Sequence, residues 1–466
     1  MMTGIITLIC WLVALLITGK YTYALYHRKE KAIANDDEKL QQKVAKQQNI
    51  TYTLIVGLSI LGAGIIYYFF VRNTVYEGHF FEWLNLIIRW MHITFGIAWI
   101  GASFYFVFLE NALNRQNVRD ELAGNLWAVH GGGFYYLEKY KIAPKEIPKN
   151  LHWFKYEAYF TWLTGFSLLI VVYYFNATSY LIDPEVLSMQ PITAIGISIG
   201  SLIIGWIIYD VMCKKLISNK WVFIIAMTLF LIFFAWFYAH VFSGRAAYLH
   251  FGALLGTLMA ANVFFVIIPG QKRMVAAAKK GLPPNPEDGK AAFIRSYSNN
   301  YFTLPVLFVM ISNHFPSTFG NTYQWLVLIG ITLGSAGIKH YLNLREKEEL
   351  SVWVLPISIL LILAVALVTA PKISTEKCAE EVTFEQVNAI IQKRCIVCHS
   401  ATPADAVWKV APNGVKYDTK EQIFSLKDKI YQRVVVSKNM PFANQTGMTQ
   451  EERDVIACWV QQQAIE

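Results

Sequence analysis

Residues Glu82 to Phe106 read EWLNLIIRWMHITFGIAWIGASFYF, an apolar stretch long enough to cross a membrane as one helix. It lies within an apolar window at 80–109. Eight further windows of about 18 or more mostly apolar residues occur at 4–26, 53–71, 157–175, 192–212, 221–241, 248–268, 323–341 and 352–370. A tenth, 301–315, contains Pro305 but is too apolar to leave in water, so we count it as a span. The pattern predicts an all-α, polytopic bundle of about ten transmembrane helices.

The composition agrees with a membrane protein. With 55% hydrophobic and 16% charged residues among 466, the chain cannot form one water-soluble core. The net charge of +9 does not indicate nucleic-acid binding, because from Pro371 onward 12 Lys/Arg balance 12 Asp/Glu. The excess therefore lies in the membrane part, where positively charged cytoplasmic loops produce it.

The distribution of loop charge predicts the topology. Five loops together hold 24 Lys/Arg: 27–50, 110–156, 213–220, 269–300 and 342–351. The loops that alternate with them hold only Arg72 and Arg245. Positively charged loops stay on the inner face. We therefore predict that both termini of the ten-span bundle lie outside.

A Cys-x-x-Cys-His run stands near the C-terminus, at Cys395, Cys398 and His399. This spacing lets two thiols bind haem c covalently while the imidazole ligates its iron. Met440 is the predicted sixth iron ligand, with Met448 as the alternative. A zinc-binding Cys-x-x-Cys-His is the competing interpretation.

The residues around this run predict a small helical domain, 376–466, joined to the bundle by Pro371 to Lys377. Capping boxes mark three helix starts: Thr383 with Gln386, Thr419 with Gln422, and Thr449 with Glu452. Cys378 and Cys458 flank the first and last helices, and we predict that they form a disulfide. Two unpaired buried cysteines are the alternative.

Ionisable groups inside apolar spans are costly and indicate function. Arg89, His92, Gly96, Trp99 and Ser103 recur at three- and four-residue steps, so they share one helix face. They predict a b haem with His92 as ligand, Trp99 packed on the ring and Arg89 near a propionate. A histidine hydrogen-bonded between helices is the alternative.

Two further groups of residues could act on a substrate or hold iron. Near the outer face, His240, Arg245, His250 and His314 could ligate haem or assist proton release. The inner loop 110–156 combines aromatic residues, lysines and a glycine run around His130. It could hold a planar anion or lie as an amphipathic segment in the membrane interface.

Several strings resemble one family, the bacterial membrane-bound, cytochrome c-linked urate oxidases, also called urate hydroxylases. The resemblance covers roughly residues 80–341 and the haem module. The strings are EWLNLIIRWMHITFGIAWIGASFYF (Glu82 to Phe106), WAVHGGGFY (Trp127 to Tyr135), WFKYEAYFTWLTG (Trp153 to Gly165), GRAAYLH (Gly244 to His250), ANVFFVIIP (Ala261 to Pro269) and NNYFTLPVLFVMISNH (Asn299 to His314). The first string is also loosely similar to membrane protoporphyrinogen oxidases, which supports His92 as a haem ligand by analogy. The resemblance implies a membrane domain at 76–370 and makes the two helices within 1–75 extra.

The resemblance implies that urate is oxidised to 5-hydroxyisourate with water as the oxygen source. Electrons would leave through haem c to a soluble cytochrome c or a terminal oxidase, without forming peroxide. It implies a bacterial inner-membrane protein whose cytochrome domain faces outward. We slightly favour an inner substrate site near His130 over an outer one near Arg245 and His250. A membrane-anchored electron carrier without urate activity and a transporter with a redox-sensing domain are the alternatives.

Overall fold

The computed structural model describes residues 2–35, 37–74, 76–144, 146–148, 151–321, 323–349, 351–370, 378, 381–405 and 410–463. The predicted linker, Pro371 to Lys377, lies outside the described residues. The chain divides into two compact units, residues 1–86 and 87–466.

The first unit is built around an antiparallel pair of helices, α1 (Met2–Ala34) and α2 (Glu38–Ile66). The indole N–H of Trp11 donates a hydrogen bond to the carbonyl of Leu58. A Cβ on Gly62 would overlap the Trp11 ring, so this close approach of the two helices requires glycine.

Helices make up most of the second unit. The boundary between the units falls within helix α3 (Glu77–Asn111). Its largest buried cluster is apolar and lies among α6, α7, α8 and their neighbours. In chain order the helices of the membrane part are α3 (Glu77–Asn111), α4 (Tyr156–Leu168), α5 (Ala177–Tyr180), α6 (Pro191–Lys215), α7 (Lys220–Val241), α8 (Gly244–Ala261), α9 (Ile268–Lys279), α10 (Pro286–Ser312), α11 (Pro316–Phe319), α12 (Gln324–Glu346) and α13 (Val354–Val368). The π-helical turns Leu169–Tyr174 and Asn262–Ile267 continue α4 and α8.

Each of the ten predicted windows overlaps a helix. Within the described residues, seven helices are long and apolar enough to cross a membrane: Thr3–Ala34, Lys39–Val71, Glu77–Asn111, Pro191–Lys215, Lys220–Val241, Gly244–Lys279 and Gln324–Glu346. Helix α13 is apolar but shorter, and α10 begins at Pro286, well before its predicted window. The number of ten crossings stays a prediction.

The all-α prediction is wrong for part of the loop 110–156. Strands β1 (Leu122–His130) and β2 (Gly133–Tyr140) pair in an antiparallel hairpin. Gly131 and Gly132 form the turn with φ of 56° and 80°, the positive values that a two-residue hairpin turn requires. The aromatic and β-branched residues of this loop favour strands over an amphipathic helix.

The C-terminal domain contains α14 (Phe384–Arg394), α15 (Lys420–Ser425), α16 (Lys427–Ile430) and α17 (Gln450–Gln462). All three predicted capping boxes are confirmed, at the starts of α14, α15 and α17. The predicted disulfide between Cys378 and Cys458 is also confirmed. It ties the segment before α14 to α17, next to an apolar core that includes the fully buried Trp459.

This domain packs on the membrane part of the same unit. The amides of Asn444 and Gln445 donate to Glu185 and Ser179 over 2.7 and 2.6 Å. Below them, the rings of Phe442 and Tyr180 lie 4.8 Å apart, measured between centroids. The docking brings the Cys-x-x-Cys-His run close to one end of the helix bundle.

Candidate functional site

A cavity of about 1050 Å³ lies between the C-terminal domain and the membrane domain. Cys395, Cys398, His399 and Met440 line it from the C-terminal side. On the other side it is lined by Arg89 from within α3, by the ends of α7, α8 and α12 and by the loops beside them. We call these two surfaces the ceiling and the floor.

The ceiling forms because α14 ends at Arg394 and the chain turns tightly. The backbone N–H of His399 donates to the carbonyl of Cys395 over 2.9 Å, which holds the Cys-x-x-Cys-His run in one turn. His399 Nδ1 donates to the carbonyl of Val415 over 3.0 Å. Because a carbonyl only accepts, Nδ1 carries the proton and Nε2 keeps its lone pair for a metal.

The ceiling residues fit haem c. Burial raises the pKa of Cys395 to about 12 and that of Cys398 to about 11. Met440 lines the cavity, whereas Met448 is 3% exposed and belongs to the domain core. If a haem is held by Cys395 and Cys398, Met440 is placed on its cavity and Met448 is not; the iron ligand itself stays a prediction.

Zinc does not fit as well. Among the described residues, no group of three or more His, Cys, Asp or Glu side chains comes together to hold a metal ion. A structural zinc site needs four protein ligands, whereas haem iron takes only its axial ligands from the protein.

The floor is basic. Arg89 of α3 and Arg245 of α8 line it together with His240 and His314. Arg245 Nε donates to Asn313 Oδ1 over 3.0 Å, which fixes the orientation of the guanidinium group. The same guanidinium lies 5.6 Å from the centre of the Tyr180 ring, a cation–π contact. In the part of the chain that the structure describes, Arg245 forms no ion pair with a carboxylate.

Positive charge exceeds negative charge around the whole cavity. Seven basic side chains line it: Arg89, Arg245, Arg394, Lys429, Arg433, Lys438 and Arg453. Three carboxylates oppose them: Asp183, Glu185 and Asp405. Burial raises the pKa of Asp183. The cavity is therefore suited to anions.

Not every predicted residue of the outer group reaches this cavity. His250 is fully buried in the membrane domain, where Nδ1 donates to the carbonyl of Ala246 over 2.8 Å. Its Nε2 lies 2.6 Å from Ser198 Oγ, so both ring nitrogens have protein partners. His250 is positioned as a core histidine, while His240, Arg245 and His314 lie on the floor.

The three residues predicted to hold a b haem do not line one cavity. Arg89 faces the large cavity, Trp99 faces a smaller one, and His92 lines neither. His92 Nδ1 donates to the carbonyl of Thr161 over 3.0 Å, and its ring packs on Gly165, so it connects α3 with α4. This contact matches the second interpretation of His92, a histidine hydrogen-bonded between helices. The b haem stays a prediction.

The smaller cavity, about 520 Å³, lies at the opposite end of the helices. Trp99, Trp153, His152, Gln271 and Asn299 are among its lining residues, and the described part of its lining contains no Lys, Arg, Asp or Glu.

His130 lines neither cavity. It ends β1 at the turn of the hairpin, where it is exposed. The structure therefore separates His130 from the arginines that the sequence grouped near the other face.

Two polar atoms near the floor were not predicted from the sequence. Gln324 Oε1 is buried and has no hydrogen-bond partner among the described residues, and the buried Tyr173 hydroxyl lies near the Arg245 guanidinium without a hydrogen bond of good geometry. Tyr173 is close enough to Arg89 and Arg245 for both charges to act on it. No spacing pattern marks either residue, because an unsatisfied buried atom is a property of the folded chain.

The comparisons with known proteins identify a family. The model of the urate oxidase N-terminal family matches residues 78–370, which include the whole floor of the large cavity. The first two helices and the C-terminal domain lie beyond the match. No match was found among curated proteins or solved structures. Because the matched residues make up more than half of the chain, this protein belongs to the urate oxidase N-terminal family.

Proposed function

We propose that this protein oxidises urate to 5-hydroxyisourate and passes the electrons to a haem c held by its own C-terminal domain. One observation carries the proposal: the Cys-x-x-Cys-His turn and Met440 share a cavity with the urate oxidase family domain. An oxidase domain and an electron acceptor that share a cavity can act in one reaction.

The reaction balances without molecular oxygen. Water supplies the oxygen of a new C–O bond at C5 of the purine, and the reaction releases two electrons and two protons. A haem held by Cys395 and Cys398 would supply a one-electron acceptor, so each urate would need two transfers. With such an acceptor in place of oxygen, the reaction would form no peroxide.

The residues that would hold the haem have separate roles. Cys395 and Cys398 would bind it covalently, and His399 and Met440 would supply the axial ligands. A methionine opposite a histidine raises the potential of haem iron, which suits an acceptor of electrons from an organic substrate.

We further propose that the protein is a multi-pass protein of the bacterial inner membrane with its cytochrome domain on the outer face. The apolar helices and the asymmetry of loop charge support this arrangement. Electrons would leave haem c for a soluble cytochrome c or a terminal oxidase.

The test is urate turnover by the full chain in H2 18O with an excess of an artificial electron acceptor. We expect labelled 5-hydroxyisourate and no hydrogen peroxide. The double variant Cys395→Ser and Cys398→Ser should lose turnover. Cys10→Ser, which changes an exposed cysteine in α1, should keep it. Undiminished turnover in the double variant, or one peroxide formed for each urate consumed, would refute the proposal.

A further inference from the structure

We infer that urate binds on the floor of the large cavity, with Arg245 as its principal anion-binding residue. The inference rests on the proposed function and assigns the substrate to the same cavity as the ceiling residues. It replaces the inner site that the sequence slightly favoured.

Charge is the first argument. Urate is an anion at neutral pH, and burying it requires a cationic partner. The cavity has four more basic than acidic side chains, and Glu452 neutralises one of them, Arg394. The two propionates of a haem would neutralise two more. The remaining positive charge matches one urate anion.

The geometry of Arg245 is the second argument. Asn313 engages Nε and the Tyr173 hydroxyl lies close to the guanidinium, but the two terminal nitrogens carry four N–H groups, so donors remain for a ligand. A guanidinium fixed in this way can form paired hydrogen bonds with a planar anion. The contact with Tyr180 holds it from the other side.

Unsatisfied polar atoms are the third argument. A buried acceptor without a donor costs free energy, and Gln324 Oε1 is such an acceptor on the floor. The oxygen is enclosed at the edge of the floor, so a purine N–H could donate to it once the amide turns toward the cavity. Gly244 leaves room for this amide, because a Cβ there would lie 2.8 Å from Gln324 Oε1.

The smaller cavity suits urate less well. Its described lining residues carry no charge, and it lies at the other end of the helix bundle from Cys395 and Cys398. Electrons from that end would have to cross a hydrocarbon core of about 30 Å. A substrate on the floor shares the cavity with Met440 and Cys398, so no intramembrane relay is required.

The inference is tested by urate binding to the full chain. The protein is reduced with dithionite under argon, so that urate can bind but cannot be oxidised, and bound radiolabelled urate is measured by equilibrium dialysis. We expect Arg245→Gln to weaken binding by about 10- to 100-fold, the range for a lost hydrogen bond to a charged group. Arg245→Lys keeps the charge but loses the paired donors, so it should recover only part of the affinity.

Two control variants should bind urate like the wild type. Gln271→Leu changes the lining of the smaller cavity, and Arg273→Gln removes an exposed arginine that pairs with Asp288. If Arg245→Gln does not fold, Gln324→Leu tests the same floor, and we expect a loss of about 3- to 10-fold. Gel filtration verifies the folding of each variant.

Three results would overturn the inference: unchanged binding in the folded Arg245→Gln or Gln324→Leu variant, loss of binding in Gln271→Leu instead, or an altered haem potential in Arg245→Gln with unchanged urate affinity. The last would show that the arginine serves the haem. The inference and the proposed function can fail separately. If the wild type binds urate on the floor but urate does not reduce the haem, the inference stands and the proposed function is refuted. If urate reduces the haem equally well in the Arg245 and Gln324 variants, the proposed function stands and the inference is refuted.

Discussion

The docking of the C-terminal domain should depend on a glycine, Gly320. A Cβ at this position would lie closer to the carbonyl oxygen of Ser437 than the 3.0 Å that Cβ atoms in proteins respect. The Cβ is fixed to the backbone of residue 320 and the oxygen belongs to the backbone of Ser437, so neither atom can rotate away. We therefore expect Gly320→Ala to force the two domains apart.

The magnitude follows from overpacking, which costs about 1–3 kcal/mol. The hydrogen bonds of Asn444 to Glu185 and of Gln445 to Ser179 oppose the separation, and together they contribute about 2–4 kcal/mol. A loss of about 2 kcal/mol would increase the undocked population roughly 30-fold. The docked state would then become marginal.

Hydrogen–deuterium exchange of the full chain measures this population. Peptides that cover 179–186 and 441–446 should exchange faster in Gly320→Ala, with little change in the core of the membrane domain. Gly196→Ala is the matched control, because a Cβ there meets nothing within 4 Å. Equal exchange in Gly320→Ala and the wild type would refute the close packing described here.

Three further predictions concern the C-terminal domain. Replacing Cys378 and Cys458 by serine should lower the free energy of unfolding by about 4 kcal/mol, because the bond closes a long loop; thermal unfolding under non-reducing conditions measures it. Glu452→Gln should cost about 2 kcal/mol in denaturant titrations, since Arg394 loses its charged partner while glutamine preserves the capping box. Although burial alone raises the pKa of Glu452, its hydrogen bonds with Arg394 and the helix start lower it overall. The ionised Glu452 therefore stabilises the fold above pH 4.5, and this contribution is lost as the pH falls through the lowered pKa. Glu452→Gln lacks the contribution at every pH, so it should lose less stability in acid than the wild type. Met440→Leu should lower the haem midpoint potential in a redox titration, because the iron loses its thioether ligand.

These predictions have defined controls and refutations. Met448→Leu should keep the haem potential, since Met448 lies in the apolar core and off the cavity. An equal shift in both methionine variants would contradict Met440 as the ligand. A double serine variant as stable as the wild type would show that the disulfide does not restrain unfolding. If Glu452→Gln loses as much stability in acid as the wild type does, the ion pair between Glu452 and Arg394 does not stabilise the domain.

Local signals in the sequence were sufficient for the C-terminal domain. A capping box needs only residues four positions apart, so Thr383, Thr419 and Thr449 marked their helices correctly. The apolar windows located the helices of the bundle for the same reason. The sequence does not predict the hairpin at 122–140, because its aromatic residues also suit a loop at the membrane interface.

The candidate site depends on contacts between distant segments, which one sequence does not contain. His250 and Arg245 are five residues apart, yet one is enclosed in the core and the other faces the cavity. The sequence placed both at one membrane level but could not tell their directions. Gln324 carried no signal at all, because its unpartnered oxygen arises only after α12 packs beside α8.

The central claim is that urate gives its electrons to haem iron bound by Cys395, Cys398 and His399. The most direct measurement is an anaerobic titration of the purified, oxidised protein with urate, followed in the visible haem bands. With one haem per chain and two electrons per urate, the account predicts full reduction at half an equivalent of urate. Haem that stays ferric in excess urate would contradict it.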